Sequence, residues 1–337
     1  MGYNFSVGKI PIGFLANLLE RYAGVDPRVT VGAKIGEDAA VVDMGDRYLV
    51  VKSDPITFVT EDLGYYAVNV NANDIATCGA VPRWFLATLL LPEQGVSEEM
   101  LEDIFKQIAT ACQALNIALV GGHTEVTYGL DRPILSGHML GEVAKDSLIT
   151  TAGAKPGDAI LLTKGICIEG TSIIARTKAD DLLQRGYSPE MIKKARDFLF
   201  QPGISVVKDA LTACQACRVN SLHDPTEGGL ATALHELAQA AQAGIIIERD
   251  KIPVFPESAA LCQEYSLDPL GTIASGALLI TLPPQEAGPV LISLARENIP
   301  AACIGHITAN KGEILLQHKA GVSPLPIFEK DEITRIL

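Results

Sequence analysis

Amphipathic segments with a 3.6-residue period alternate with short β-branched runs along almost the whole chain, and this restricts the fold more than any other feature. Such alternation calls for helices packed on sheets, that is, a mixed α/β class. Ile12–Tyr22 reads as an amphipathic helix. Ala39–Asp43 and Tyr48–Lys52 read as strands joined by a turn at Met44–Arg47. Asp62–Cys78 has helical apolar spacing and stops at Gly79, while Trp84–Leu91 is an apolar run of strand length. Ser97 caps a helix reaching about Leu115, with Glu98 and Glu99 where the helix dipole favours acids. Ile117–Val120 and Pro133–Val143 read as strands. The stretch TTAGAKPGD, residues 150–158, is rich in small and turn-forming residues. It divides the chain into 1–150 and 151–337. In the second part Ala159–Thr163, Ile245–Glu248 and Ala277–Leu282 read as strands. Ser188 before Pro189 is an N-cap followed by a first-turn proline, and another helix is expected after Thr226.

A chain of 337 residues, 48% hydrophobic, supports two cores of ordinary size. The net charge of −13 argues against nucleic acid and anionic membrane surfaces as partners. Acidity is concentrated early: residues 1–150 carry 10 Lys and Arg against 19 Asp and Glu. The seven cysteines are scattered, and no apolar run is long enough to span a bilayer. Reduced thiols in a cytoplasmic protein are expected. Cys214 and Cys217 form a lone CxxC with no second pair of zinc ligands nearby, and are read as structural thiols.

Four stretches carry acids where structure alone does not require them. Glu37 and Asp38 follow Gly36 just before a strand. In VVKSDPITF an apolar strand runs into Ser53-Asp54-Pro55, at the sheet rim where α/β proteins tend to hold ligands. In AVNVNANDIATCGA, Asn71 and Asp74 share one face of an apolar helix, so each needs a partner: a metal ion or a helix cap elsewhere. In LVGGHTEV a buried strand is expected to end at Gly121-Gly122, letting a ligand approach the backbone, with His123, Thr124 and Glu125 beyond. A fifth stretch, Asp224-Pro225-Thr226-Glu227-Gly228-Gly229, opens a helix. Free N–H groups there attract anions, but carboxylates tolerate a phosphate only when a hard cation accompanies it. Acids, glycines and a hydroxyl together therefore read as a Mg²⁺-bridged phosphate site. Neither a P-loop nor a strand-associated GxGxxG is present.

GEDAAVV, SDP, NANDIATCGA, GGHT, AKPGD and DPTEGGL, taken in order, resemble the superfamily of aminoimidazole ribonucleotide synthetase, thiamine-monophosphate kinase, selenophosphate synthetase and the hydrogenase-maturation protein that builds the cyanide ligand. The resemblance covers almost the whole chain. It implies two α/β domains, residues 1–150 binding nucleotide and dimerising and 151–337 completing the site. It implies a homodimer whose amino-terminal sheets pair into a β-barrel, and ATP held with Mg²⁺ for phosphoryl transfer. By motif, Asp38, Asp54, Asp74 and Asp224 match metal ligands, and Gly121, Gly122 and Thr124 match the nucleotide strand. Thr226 and Glu227 match a hydroxyl and a carboxylate near the phosphates.

LHDPTEGGLATALHELA and the segment from Glu248 to Gly276 look most like the hydrogenase-maturation branch. That branch usually has Arg at the Glu227 position, a Glu within the stretch matching ASGALL, and a cysteine at the end of its tail. This chain ends Thr334-Arg335-Ile336-Leu337, so cyanide-ligand synthesis is not expected. The kinase branch has Asp at the His123 position. Metal binding, phosphate contact and packing stay open for His123.

The expectation is thus an ATP- and Mg²⁺-dependent enzyme activating an unidentified small molecule by phosphorylation. Asp38, Asp54, Asp74 and Asp224 hold metal, and Glu227 is a metal ligand or general base, with Asp224 counted alongside it as catalytic. Ser53, Asn71, Gly121, Gly122, His123, Thr124 and Thr226 are nucleotide-side candidates. Lys52 either reaches a phosphate or is solvated. Lys164, Glu169 and Ser275 are acceptor-pocket candidates. The rival expectation is a nucleotide-binding scaffold that docks on a partner in metalloenzyme maturation.

Overall fold

The computed structural model describes residues 10, 12–24, 26–32, 37–57 and 59–337. Gly36 of the first acidic stretch lies outside them. The first sheet is built from β1 (Val29–Val31), β2 (Ala40–Asp43), β3 (Arg47–Ile56), β4 (Val81–Leu91), β5 (Ala118–Val126) and β6 (Ile134–Ala144), in the order β1-β2-β3-β6-β4-β5. Among the described residues only β4 and β5 run parallel within it. Its helices are α1 (Ile12–Tyr22), α2 (Leu63–Thr77) and α3 (Glu98–Ala114).

Beyond the 3-10 turn Thr151–Gly153, the second sheet contains β7 (Ala159–Thr163), β8 (Ser221–His223), β9 (Gly244–Glu248), β10 (Leu279–Leu282), β11 (Ala301–Thr308), β12 (Ile314–His318) and β13 (Gly321–Pro324). Their order is β13-β12-β9-β11-β7-β10-β8. Seven helices accompany them: α4 (Ile168–Thr177), α5 (Ala179–Gln184), α6 (Pro189–Arg196), α7 (Val207–Ala216), α8 (Gly229–Ala241), α9 (Pro256–Glu264) and α10 (Ala287–Arg296). The chain is a two-domain α/β fold with one mixed sheet per domain.

The capping signals form as the residues dictate. Ser97 Oγ accepts from Met100 N at 3.2 Å at the start of α3, and Ser188 Oγ accepts from Met191 N at 3.2 Å at the start of α6. Helix α2 differs from an ordinary surface helix because it is buried nearly all round. It packs on β3 and β6 on one side and meets α7 and β8 of the second domain on the other. Two glycines of β6 admit it. A Cβ on Gly137 would stand 2.4 Å from Asn71 Nδ2, and one on Gly141 would stand 2.3 Å from Ile75 Cγ2. Asn73 ties the domains together: its Oδ1 accepts from Val206 N at 2.8 Å and its Nδ2 donates to Ile204 O at 2.9 Å. A fully buried amide needs such partners.

Two strands differ from expectation. β3 does not stop at the sheet rim before Ser53-Asp54-Pro55 but runs on to Ile56, with Asp54 paired opposite Gly137 of β6, so Asp54 stands within the ladder. β5, expected to be buried, is exposed along its length. Nor does it end at the glycine pair; it continues to Val126. It pairs with β4 throughout, with a bulge that brings Gly121 opposite Leu86 and Gly122 opposite Ala87. Gly122 has φ 147°, and a Cβ there would lie 1.9 Å from the Ala87 carbonyl oxygen. Close strand approach thus requires glycine at this position, whether or not a ligand is present.

Candidate functional site

Three acids far apart in sequence meet where α2 passes between the domains. Asp38 lies just before β2, Asp74 sits in the last turn of α2, and Asp224 follows β8 at its carboxyl end. One carboxylate oxygen from each lies within 4.8 Å of the others. Asp74 and Asp224 are 5% and 3% exposed, and Asp224 Oδ2 is buried without a hydrogen-bond partner. Asp54 lies on β3 and joins the group through Lys52, two residues earlier on the same strand face. Lys52 Nζ is 3.0 Å from Asp74 Oδ2 and 3.5 Å from Asp54 Oδ2.

Charge is balanced unevenly across this cluster. Burial, then the charge of Asp38, pushes the Asp224 carboxyl up to about 7. Burial also raises Asp74 well above the carboxylate range, against the pull of Lys52. Burial alone would raise Asp38, but the imidazolium of His223 beside it, and Lys52 further off, hold it low. Burial works against the Lys52 charge, yet Asp74, Asp54 and Asp38 keep the ammonium protonated well above the usual lysine value. His223 is 3% exposed and bridges two carboxylates: Nδ1 is 3.1 Å from Asp38 Oδ2, and Nε2 is 3.1 Å from Glu236 Oε2 on α8. Desolvation opposes its protonation, but those two acids raise it well above the ordinary histidine value.

The donor set fits a divalent cation. It is all oxygen, three carboxylates converge, and two of its buried oxygens make no hydrogen bond among the described residues: Asp74 Oδ2, which has only the Lys52 ion pair, and Asp224 Oδ2, which has neither; this suits a hard ion such as Mg²⁺ better than a thiophilic metal.

The other predicted residues divide. Asn71 is buried, but its amide is committed to the backbone: Oδ1 accepts from Asp54 N at 2.9 Å, and Nδ2 donates to Asp54 O at 3.2 Å and Ala67 O at 2.8 Å. It fixes β3 against α2 and so places Asp54; neither a metal ion nor a helix cap takes it, because the strand backbone at Asp54 uses both ends of the amide. Ser53 is exposed, on the strand face opposite Lys52 and Asp54. Gly121, Gly122, His123 and Thr124 lie on the edge strand β5, which is exposed along its whole length. Gly122, Ala87, Gly137 and Asp54 stand in register across four strands. The glycine pair is therefore three strand spacings, about 14 Å, from Asp54 within one chain. His123 Nε2 meets Glu125 Oε2 at 3.0 Å on this exposed edge, away from the three-acid cluster.

Thr226 and Glu227 are half-buried in the turn before α8. The Thr226 carbonyl accepts from Gly229 N at 3.0 Å and Ala274 N at 3.3 Å. Glu37 reaches the hinge instead, accepting from Thr151 N and Ala152 N at 3.3 and 3.4 Å. Lys164 is buried against Asp209, Nζ to Oδ1 3.2 Å, and donates to Ser205 O at 2.6 Å. Glu169, in the first turn of α4, is buried beside the Ser275 hydroxyl, and desolvation pushes its carboxyl up to about 7.

Three contributors escaped the sequence reading. His223 holds Asp38 and is itself held by Glu236, and the adjacency of His223 to Asp224 is the signal the sequence offers. Asp331 carries no motif. It receives Gly228 N at 2.7 Å, Ile273 N at 3.2 Å and Ile333 N at 2.8 Å, closing the turn that opens α8.

Two family profiles match the chain: AIR synthase related protein, N-terminal domain, over residues 36–143, and the C-terminal domain of the same family over 155–317. A putative hydrogenase expression/formation protein of Methanocaldococcus jannaschii is 29% identical over 316 residues, 91% of this chain and 90% of its own length. Carbamoyl dehydratase HypE of Rhizobium leguminosarum is 27% identical over 82% of this chain and 78% of its own. Among solved structures, hydrogenase maturation protein HypE superposes with TM-score 0.73 at 25% identity, covering 95% of this chain and 98% of that one. ThiL complexed with AMPPCP and TMP has TM-score 0.70 at 21% identity, over 92% and 96%. The HypE–HypF complex has TM-score 0.70 at 22%, over 94% and 99%. The last two likenesses concern the fold.

Proposed function

Because the chain belongs to the family of AIR synthase-related proteins, we propose that it is an ATP- and Mg²⁺-dependent enzyme that activates a small-molecule acceptor by phosphoryl transfer. The observation that carries this reading is the meeting of Asp38, Asp74 and Asp224 around a buried, unpartnered oxygen. A pure scaffold has no need of that cluster. The fold is one in which structures with AMPPCP and with ATP bound are known, and ATP use in this chain is part of the proposal.

In this proposal Asp38, Asp74 and Asp224 hold Mg²⁺, which supplies charge neutralisation of the phosphates. Asp54 extends the acid set through Lys52, and His223 with Glu236 keeps Asp38 ionised and aimed. Thr226 and Glu227, at the start of α8, face the phosphate side, and Gly121 to Thr124 form the nucleotide strand. Residues 1–150 bind nucleotide and pair with a second copy, and 151–337 complete the site. The exposed edge β5, with Leu119, Val120 and Val126 uncovered, favours such pairing. A cytoplasmic setting suits the seven free cysteines.

A second reading is an accessory role in hydrogenase-type maturation with little turnover, acting with a partner protein. The hydrogenase expression/formation and carbamoyl dehydratase relatives favour it. Turnover separates the two. Under the enzymatic reading, wild type with Mg²⁺ and ATP releases ADP or AMP when offered a suitable acceptor, and Asp74→Asn releases none. Nucleotide binding with no acceptor-stimulated release from a broad panel would favour the accessory role.

A further inference from the structure

The acid cluster contains a cation of its own. Lys52 and Asp54 project from the same face of β3, and the Lys52 ammonium stands 3.5 Å from Asp54 Oδ2 and 3.0 Å from Asp74 Oδ2. The side chain is only 22% exposed. Asp54 is not one of the three acids whose oxygens close to within 4.8 Å. The cluster therefore has two parts that share Asp74. One is Asp38, Asp74 and Asp224, where Asp224 Oδ2 is buried, 3% exposed by residue, and lacks a hydrogen-bond partner. The other is Asp54 and Asp74, already joined by an ammonium group.

Carboxylates this close cannot all ionise without a cation among them. Divalent ions are one source of that charge, and Mg²⁺ surrenders its water reluctantly. A lysine is another: a compact point charge with three donors, held by the chain and present without ligand. We propose that Lys52 is a resident counter-cation, occupying the place where a second divalent ion would bridge Asp54 and Asp74. Without nucleotide the chain then takes one divalent ion, at Asp38, Asp74 and Asp224. The inference rests on the metal-site reading above and assigns its stoichiometry to a residue. A lysine acting only on phosphate makes a different prediction, since its removal would weaken nucleotide binding and leave metal stoichiometry unchanged.

The test counts bound Mn²⁺ by electron paramagnetic resonance of the free ion, with no nucleotide present. Wild type is expected to bind one ion per chain, Lys52→Met two, and Lys52→Met/Asp54→Asn one again. One ion or fewer in Lys52→Met overturns the inference. If Lys52→Met folds only with metal, its melting temperature should rise more steeply with Mn²⁺ than that of wild type. A variant that no Mn²⁺ concentration restores also overturns it. Wild type that binds no Mn²⁺ removes the metal-site reading itself. One ion in both proteins removes only the counter-cation.

Discussion

Replacing Glu169 by Gln gives a pH-dependent stability change whose sign follows from burial. The residue is 6% exposed in the first turn of α4, and among the described residues no cation pairs with it. Burial raises its carboxyl from the ordinary 4.5 to about 7, with the Ser275 hydroxyl pulling the other way. Folded protein therefore keeps a proton that the unfolded chain releases above 4.5. Between 4.5 and about 7 the folded state binds more protons, so this group's contribution to stability falls as pH rises and then levels off. At about 1.4 kcal/mol per pH unit the loss is about 3 kcal/mol. Glutamine has nearly the same shape and does not titrate. Near pH 4.5 variant and wild type should melt together, and at pH 8 Glu169→Gln should be the more stable by about 3 kcal/mol. For a domain of this size that is roughly 6–12 °C in melting temperature. Differential scanning calorimetry across pH 4.5–8 reads it directly. Parallel melting curves for the two proteins at every pH would refute the reasoning, because they would mean that Glu169 ionises in the folded state as freely as in water.

Asp331→Ala leaves three backbone donors without their acceptor and should cost about 3 kcal/mol, since each buried unsatisfied group is expensive; an unchanged denaturation midpoint would contradict this. Asn73→Ala breaks the clamp to Ile204 O and Val206 N and should cost about 2–4 kcal/mol, with faster hydrogen exchange at Val206 as its local signature. Val120→Lys places a charge on the exposed edge β5 and should shift the protein toward monomer in sedimentation analysis; an unaltered sedimentation coefficient would argue against pairing through this edge.

Local chemistry was the most legible part of the sequence. Ser97 and Ser188 cap the helices they announce, because an N-cap depends on residues within one turn. Asp74 announced itself as a polar group in an apolar helix, and it does meet other acids. The reading of β5 stopped at Gly121 because glycine pairs usually punctuate strands. Here Gly122 is the residue that lets the strand continue past Ala87, a reason visible only once the neighbouring strand is in place. Asn71 is a polar group in the same apolar helix, for which a metal ion or a helix cap is the expectation; the strand backbone of Asp54, 17 residues away, binds it instead, a partner only the fold supplies. His223 with Glu236 and Asp331 with Gly228 are pairings made by folding, the second across 103 residues, and no spacing rule reaches that far.

A crystal grown with Mn²⁺ and AMPPCP tests the central claim most directly, through the anomalous signal of the metal. The account predicts a peak at about 2.0–2.2 Å from carboxylate oxygens of Asp38, Asp74 and Asp224, with a phosphate oxygen on the same ion. Nucleotide bound with no metal peak among these three residues would contradict it.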